Sequence, residues 1–169
     1  LELRGGFGGG IVTALARIEG RAVGVVASNP AHLGGAIDSD GSDKAARFMQ
    51  LCDAFDLPIV TLIDTPGMMV GPDVERTALV RHCSRLFVTG ANLSVPMVSI
   101  VLRKSYGLGA QAMMGGSTKS PLCCVAWPTS FSSTTISSST RSISRAACSR
   151  RGSTSRIRCS SRGQNGSRR

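Results

Sequence analysis

The sequence lacks the patterns that mark membrane, exported or metal-binding proteins. No apolar run reaches the roughly 18 residues that a membrane-spanning helix needs, and no signal-peptide pattern opens the chain. The six cysteines include no CxxC pair, so we expect no metal site. We interpret the first four cysteines as small apolar residues in a reducing, cytoplasmic compartment, without a membrane partner.

Acidic residues are missing from the last part of the chain. Residues 1–128 hold all ten acidic and eleven of the twenty basic residues, a net charge of +1, whereas residues 129–169 hold nine arginines and no acid. Leu and Val are also absent after Pro128, where Ser, Thr and Arg dominate. Such a segment buries too little apolar area to offset its ordering entropy, so we expect 129–169 to be a disordered Ser/Arg-rich tail.

Two interpretations of this tail stay open. An Arg/Ser arm is typical of segments that bind nucleic acid or an acidic partner, although Lys and aromatic residues are nearly absent from it. Ser, Arg and Thr also arise when GC-rich coding sequence is translated in a shifted frame. The abrupt change of composition within a continuing fold favours the frameshift, so we expect no nucleic-acid partner.

Residues 1–128 have the alternating strand and helix patterns of an α/β domain. The first two predicted strands are joined by a short turn, which predicts a hairpin. The later ones are continuously apolar, as in a buried parallel sheet. The predicted strands cover residues 11–18, 22–27, 59–63, 95–102 and 122–127. This order predicts an α/β fold with mostly parallel strands and right-handed crossovers.

Helices are predicted between these strands. Ser42 is a suitable N-cap for the first helix, which Pro58 stops. Asp73 is predicted to cap the second, and a third helix is predicted to start at Ala110. The apolar stripes of the first two helices contain Ala45, Phe48, Cys52 and Phe55, and then Leu79, Cys83, Leu86 and Phe87.

Three glycine-rich loops follow predicted strands, at residues 29–41, 64–71 and 103–110. In open α/β sheets, ligands gather beyond the carboxyl ends of the strands, so we expect these loops to form one site. The third loop lies between a strand and a helix start, which leaves several backbone N–H groups free and pointing at one place. Such a place holds an anion, or an oxygen that becomes negative during a reaction.

Few side chains in these loops suggest catalysis by themselves. His32 lies in the first loop and could shape a ligand site, whereas His82 lies beside an apolar stripe and is predicted to pack. Asp64 could act as a general base, but the Pro-Gly that follows favours a turn-capping role. Ser105 has no His-Asp context for a nucleophile. The paired methionines at 68–69 and 113–114 are predicted to be adaptable packing residues.

Several linked motifs resemble one known family. They are Ala27-Ser28-Asn29-Pro30, Gly34-Gly35-Ala36-Ile37-Asp38, Asp43-Lys44-Ala45-Ala46-Arg47-Phe48, Cys52-Asp53-Ala54-Phe55, Asp64-Thr65-Pro66-Gly67 with Gly71, Arg103-Lys104, Tyr106-Gly107-Leu108-Gly109-Ala110 and Ala126-Trp127-Pro128-Thr129. Together they resemble the carboxyltransferase (beta) component of biotin-dependent acyl-CoA carboxylases of the acetyl- and propionyl-CoA type. The resemblance runs from about residue 1 to residue 129. It implies that residues 1–128 are a partial C-terminal carboxyltransferase domain.

The resemblance implies an incomplete crotonase-like ββα superhelix and an enzyme family that moves a carboxyl group from N1-carboxybiotin to the α-carbon of an acyl-CoA. In this family backbone N–H groups form the oxyanion hole for the biotin oxygen, here Gly107, Leu108, Gly109 and Ala110. The walls of the biotin pocket would be Gly34, Gly35, Ala36, Pro66 and Gly67. Gln111 lies near where the family tunes its preference for the acyl chain.

The resemblance also implies partners. Biotin would be carried on a partner protein or domain, and a biotin carboxylase would load it. The CoA-binding half would be the missing N-terminal domain, in a full-length homo-oligomer, so we expect the chain to be incomplete as an enzyme. The alternatives are another acyl-CoA enzyme of the crotonase superfamily, which needs a Glu or His near residues 107–110, and a basic nucleic-acid-binding protein.

Overall fold

A computed structural model describes residues 1–116, 121–126 and 131–132. Within them the strands are β1 (Glu2–Leu3), β2 (Ile11–Ile18), β3 (Arg21–Ser28), β4 (Ile59–Thr65), β5 (Met97–Ser105), β6 (Pro121–Ala126) and β7 (Phe131–Ser132). The helices are α1 (Ser39–Ala54), α2 (Pro72–Arg76), α3 (Leu79–Ala91) and α4 (Gly107–Met113), with a 3-10 turn at Leu33–Gly35. The predictions for Trp127 and for the predicted tail at 129–130 and beyond residue 132 lie outside the described residues.

The seven strands of the described residues belong to one sheet. Its order is β1-β2-β3-β4-β5-β6, and β7 pairs with the far end of β5. The β2–β3 hairpin is antiparallel, as predicted, and β3 to β6 run parallel. The parallel strands send their carboxyl ends to one edge of the sheet, which places the loops after β3, β4 and β5 on the same side.

Helix α1 buries its predicted apolar stripe but begins earlier than predicted. Ala45, Phe48 and Cys52 are buried, whereas Phe55 is 69% exposed beyond the helix end, so its assignment to the stripe is wrong. Ser42 is not the N-cap. Asp38 is, because its Oδ1 accepts a hydrogen bond from the Gly41 N–H at 2.8 Å, and a carboxylate there also complements the helix dipole.

The second predicted helix is two helices. Gly71, not Asp73, precedes α2, and Pro72 occupies the first helical position, where its missing N–H costs nothing. Ala78 then adopts a left-handed backbone with φ of 57°, which ends α2 and turns the chain into α3. Leu79, Cys83 and Leu86 of the predicted stripe are buried on α3, and Phe87 is half-buried.

Strand β5 is longer than predicted, and α4 begins three residues earlier than predicted. The strand continues to Ser105, Tyr106 is extended, and α4 begins at Gly107, whose φ of 56° is left-handed. The glycine-rich stretch is therefore the first turn of a helix rather than a loop. Its first N–H groups consequently have no carbonyl of their own helix to bond.

The core lies between the sheet and its helices, and three cysteines belong to it. Cys52, Cys83 and Cys124 are buried, which confirms their interpretation as apolar residues, while Cys123 is half-buried. Burial raises the pKa of the Cys52 thiol to about 11. Within the part of the chain that the structure describes, no helix is long and apolar enough to cross a membrane. Over the same residues, no group of three or more His, Cys, Asp or Glu side chains is placed to hold a metal ion.

Candidate functional site

The loops that follow β3 and β4 are joined backbone to backbone. The Ile37 N–H donates to the Gly67 carbonyl at 3.0 Å, and the Met69 N–H donates to the Ile37 carbonyl at 2.8 Å. Gly35 lies so close to β4 that a Cβ there would be 2.5 Å from the Asp64 carbonyl oxygen, and its φ of 91° suits glycine. The two loops are therefore joined by backbone hydrogen bonds and packed closely against each other.

The turn at Pro66 and Gly67 packs directly on α4. A Cβ added to Gly109 would lie 2.6 Å from the Gly67 carbonyl carbon, so only glycine fits at position 109. The Tyr106 N–H donates to the Thr65 carbonyl at 3.2 Å, and the Thr65 Oγ1 accepts from the Gly67 N–H at 3.1 Å. Backbone from two loops thus meets with no side chain between them.

The first turn of α4 presents three N–H groups without a protein acceptor. Within the described residues, the N–H groups of Gly107, Leu108 and Gly109 donate no hydrogen bond. The Ala110 N–H does donate, to the Tyr106 carbonyl at 3.4 Å, which closes the first helical turn. The structure therefore brings together the three predicted loops and leaves three adjacent donors for an acceptor oxygen.

A buried carboxylate fixes the end of β5 beside these donors. Asp64 is 7% exposed and accepts from the Arg103 guanidinium through both oxygens, at 3.3 and 3.0 Å, and from the Lys104 N–H at 3.2 Å. The Lys104 ammonium then reaches the first loop, where its Nζ donates to the Gly34 carbonyl at 2.9 Å. Lys104 thus brings a positive charge to the carbonyl of a predicted site residue.

A model of one protein family, described as the carboxyl transferase domain, matches residues 1–134. The chain belongs to the carboxyl transferase domain family. The match includes all three loops and the helix turn whose N–H groups are unbonded. It confirms the resemblance on which the expected reaction depends.

Solved and curated relatives support the same assignment. The biotin-dependent long chain acyl-coenzyme A carboxylase beta4 subunit of Mycobacterium tuberculosis is 44% identical over 129 residues, which are 76% of this chain and 24% of that subunit. A single-chain, multi-domain long-chain acyl-CoA carboxylase superposes with a TM-score of 0.76 at 56% identity, covering 78% of this chain and 13% of that one. Transcarboxylase 12S was solved as a hexamer with methylmalonyl-CoA bound. It superposes with a TM-score of 0.72 at 38% identity, covering 77% of this chain and 25% of that one.

These comparisons settle the fold and the extent of the match. Carboxyltransferase domains have the crotonase-like fold, so the predicted fold class is confirmed. The chain spans about a quarter or less of the length of these relatives. It is thus a partial carboxyl transferase domain.

Neither histidine of this carboxyl transferase domain is placed as a free base. The His82 Nδ1 lies 2.8 Å from Asp43 on α1, and Arg85 binds the other oxygen of that carboxylate at 2.9 Å, so His82 joins α3 to α1. The His32 Nε2 lies 3.2 Å from Asp38, the carboxylate that caps α1. His32 therefore helps to order the first loop, and a role in ligand shaping stays a prediction.

The other candidate side chains have separate positions. Asp64 bonds β5 rather than the turn after it, so the turn-capping prediction is wrong. The Ser105 Oγ is buried and has no hydrogen-bond partner among the described residues, and both histidines are paired elsewhere. Gln111 is half-buried one turn after Leu108 on α4.

Two contributions to the site were not predicted from the sequence. The Arg103 and Lys104 pair was noted only as part of a motif, although a basic pair at a strand end, just before a glycine-rich turn, could have indicated charge at the site. Thr65 was not singled out. The Thr-Pro-Gly sequence carries the signal, because a Thr hydroxyl readily bonds the N–H two residues later.

An apolar groove opens beside the three N–H groups. It has a volume of about 290 Å³ and lies between the segment after the Pro66 turn, α3 and the start of α4. Its lining comprises Met68, Met69, Val70, Glu75, Leu79, Val80, Cys83, Ser84, Phe87 and Leu108. The 68–69 pair is thus exposed to the groove, whereas Met113 and Met114 pack in the core.

Proposed function

We propose that the chain is part of an enzyme that transfers a carboxyl group from N1-carboxybiotin to the α-carbon of an acyl-CoA. Membership of the carboxyl transferase family and the biotin-dependent relatives support this reaction. The observation that carries the proposal is the row of unbonded N–H groups at Gly107, Leu108 and Gly109, set where the three loops meet. Such donors stabilise an oxygen as it becomes negative.

Biotin fits the chemistry of this place. Its urea oxygen accepts hydrogen bonds, and the first turn of α4 offers three unbonded backbone donors. Gly107, Gly109 and Gly67 have no side chain that would compete as an acceptor. We propose that the N–H groups of residues 107–109 hold that oxygen, and that Gly34, Gly35, Ala36, Pro66 and Gly67 form the walls of the pocket. Ala110 contributes to the oxyanion hole through the helix turn that its N–H closes. The carboxyl group would be supplied by biotin in its N1-carboxylated form, and its transfer would leave free biotin.

The chain's own residues supply orientation and charge. The contact between Gly67 and Gly109 fixes the donors before any ligand arrives, so little reorganisation is needed during reaction. The Lys104 ammonium adds positive charge at the first loop. Negative charge that develops on an oxygen in the pocket is favoured by both features.

We propose a long-chain acyl-CoA as the substrate of the complete enzyme. Two relatives named for long-chain acyl-CoA favour this choice, at 56% and 44% identity. The propionyl-CoA carboxylase beta chain of Roseobacter denitrificans is 42% identical, and transcarboxylase 12S is 38% identical. Gln111 lies one turn beyond the donors on α4, where it would contact the acyl chain and set the preferred chain length. We propose that the CoA portion binds to a further carboxyltransferase half of the complete enzyme.

The complete enzyme would act with other polypeptides. We propose that biotin comes on a carrier protein or domain and is loaded by a biotin carboxylase component. We also propose a homo-oligomer, by analogy with the hexameric assembly of transcarboxylase 12S. The share of the relatives that this chain covers supports the need for a further carboxyltransferase half.

A hybrid enzyme tests the proposed reaction. Residues 1–126 replace the matching segment of the long-chain acyl-CoA carboxylase, and transfer of labelled carboxyl from its biotin carrier to palmitoyl-CoA is measured. We expect transfer above one tenth of the parent rate, abolished when the carrier lysine is not biotinylated. A folded hybrid that processes acyl-CoA equally well without biotin would contradict the proposal.

Glu75 separates this function from a hydratase or decarboxylase of the crotonase superfamily. Such an enzyme needs a Glu or His near the donors, and Glu75 lines the groove that Leu108 also lines. In the hybrid, we expect the change Glu75→Gln to leave carboxyl transfer within about twofold of its starting rate, since no side-chain base is required. A loss of roughly a hundredfold or more, typical of removing a general base, would favour the other class.

A further inference from the structure

The groove beside α4 is more apolar than an ordinary surface. Its apolar residues with the most exposed side chains are Val70, Val80 and Leu108, at 79%, 77% and 63%. A single exposed apolar side chain needs no explanation, but three around one concave surface mark a site that another molecule covers. Met68 and Met69 also line it, and methionine adapts to varied apolar ligands.

The groove begins at the proposed site of reaction. Leu108 supplies one of the three unbonded N–H groups and, with its side chain, one wall of the groove. Met68 directly follows Gly67, whose backbone contacts Gly109. A chain attached to a carbon that reacts near these donors therefore has an apolar path leading away from them.

We propose that this groove holds the alkyl chain of a long-chain acyl-CoA substrate, an inference that rests on the proposed function. Only Glu75 and Ser84 among its lining residues are charged or carry a hydroxyl, so the groove suits neither the phosphates nor the amides of CoA. Its volume of about 290 Å³ is at the lower end of ligand sites, a size for an alkyl chain rather than for a whole cofactor.

The proposal predicts that affinity grows with chain length. Each methylene moved from water into an apolar site strengthens binding by up to about fourfold, and incomplete burial lowers that gain. Thioesters of N-acetylcysteamine carry the acyl chain without the nucleotide and serve as probes. We expect the twelve-carbon thioester to bind the 169-residue chain at least tenfold more tightly than the two-carbon one.

Methionine methyl resonances locate the binding. With ¹³C-labelled methionine, we expect the twelve-carbon probe to shift Met68 and Met69, which line the groove, and to leave Met49 and Met97, which are buried in the core, unchanged. The variant Val80→Asp places a charge on the wall of the groove at an exposed position, so it should fold. The matched control is Ile18→Asp, on β2, where the side chain is 52% exposed.

The two variants decide the proposal. Val80→Asp should reduce the affinity for the twelve-carbon probe at least fivefold, whereas Ile18→Asp should leave it unchanged. Equal affinity for all chain lengths, equal effects of the two variants, or loss of self-association alone in Val80→Asp would overturn it, the last by showing that a second copy covers the groove. The biotin-dependent transfer of the hybrid is measured separately. A chain-length effect without transfer contradicts only the proposed function. Transfer without a chain-length effect contradicts only the proposal that the groove holds the alkyl chain.

Discussion

The close packing of α4 on the Pro66 turn depends on the absence of a side chain at Gly109. A Cβ there would meet the backbone of Gly67 at 2.6 Å, and backbone yields less readily than the end of a side chain. The consequence would be a displaced Pro66 turn or a displaced first turn of α4. Either movement changes the direction of the donors at residues 107–109.

The substitution Gly109→Ala should therefore reduce carboxyl transfer in the hybrid by about a hundredfold or more, the range seen when one oxyanion donor is lost. Overpacking should also lower stability by roughly 1–3 kcal/mol. Gly6→Ala is the matched control, because nothing lies within 4 Å of a Cβ there. Steady-state rates and thermal melting measure the two effects, and equal activity of both variants would show that the contact between the turns does not matter.

Asp53 links the end of α1 to the segment before β5. Its Oδ1 accepts from the Ser94 N–H and Oγ, each at 2.8 Å, and from the Val95 N–H at 3.2 Å. The Ser94 N–H and then the Ser94 hydroxyl hold the pKa of this carboxyl below its usual range. Its ionised form is therefore favoured in the folded state.

A lowered pKa gives a pH dependence with a definite sign. The stability that Asp53 contributes is fully present above its unfolded pKa of about 3.9 and is lost as the pH falls through the lower folded pKa. Asp53→Asn should cost about 1 kcal/mol at pH 7, since an amide oxygen accepts more weakly than a carboxylate. The difference in melting temperature from the unmodified chain should shrink below about pH 4. A difference that is constant from pH 7 to pH 3 would contradict this account.

Helices α2 and α3 show how a backbone feature divides an element. Residues 72–91 have no proline after the first, and the sequence predicted one helix, yet Ala78 has a φ of 57° between the two helices. Alanine in this left-handed region costs about 1–2 kcal/mol. The break lets α3 direct Leu79 into the core while α2 stays exposed.

Replacing Ala78 by glycine tests the break. The change Ala78→Gly should stabilise the chain by about 0.5–1 kcal/mol, because the relief of the left-handed strain exceeds the added entropy of the unfolded chain. Ser84→Gly, an exposed position within α3, should instead destabilise it by a similar amount. Denaturant titration of the two variants gives the comparison, and destabilisation by both would indicate a continuous helix.

At the scale of the molecule, the sequence predicted most of the strands and helices but missed several of the positions where helices begin or break. The β2–β3 hairpin, the parallel strands and the convergence of three loops followed from apolar runs and from glycine positions. Asp38 caps α1 through a local hydrogen bond to Gly41, and it was missed because Ser42 is also a suitable cap residue. The start of α4 at Gly107 was missed because tertiary contacts set it. The hydrogen bond from Tyr106 to Thr65, for example, joins residues far apart in sequence.

The proposed hydrogen-bond donors were harder to predict because they belong to the backbone. Residue types revealed glycines near a helix start, but only the structure shows which N–H groups are already bonded. The predicted set of four donors thus divides into three unbonded groups and Ala110, whose N–H closes the helix turn. The groove could not be predicted either, because its lining comes from segments between residues 68 and 108 that meet only in the fold.

The central claim is that the first turn of α4 holds the urea oxygen of biotin. Titrating the ¹⁵N-labelled chain with biotin methyl ester and recording its backbone amide resonances tests this most directly. The account predicts saturable shifts that are largest at Gly107, Leu108 and Gly109, with a smaller shift at Ala110, whose N–H is already bonded. Saturable shifts confined to other parts of a folded chain, with these three amides unmoved, would contradict it.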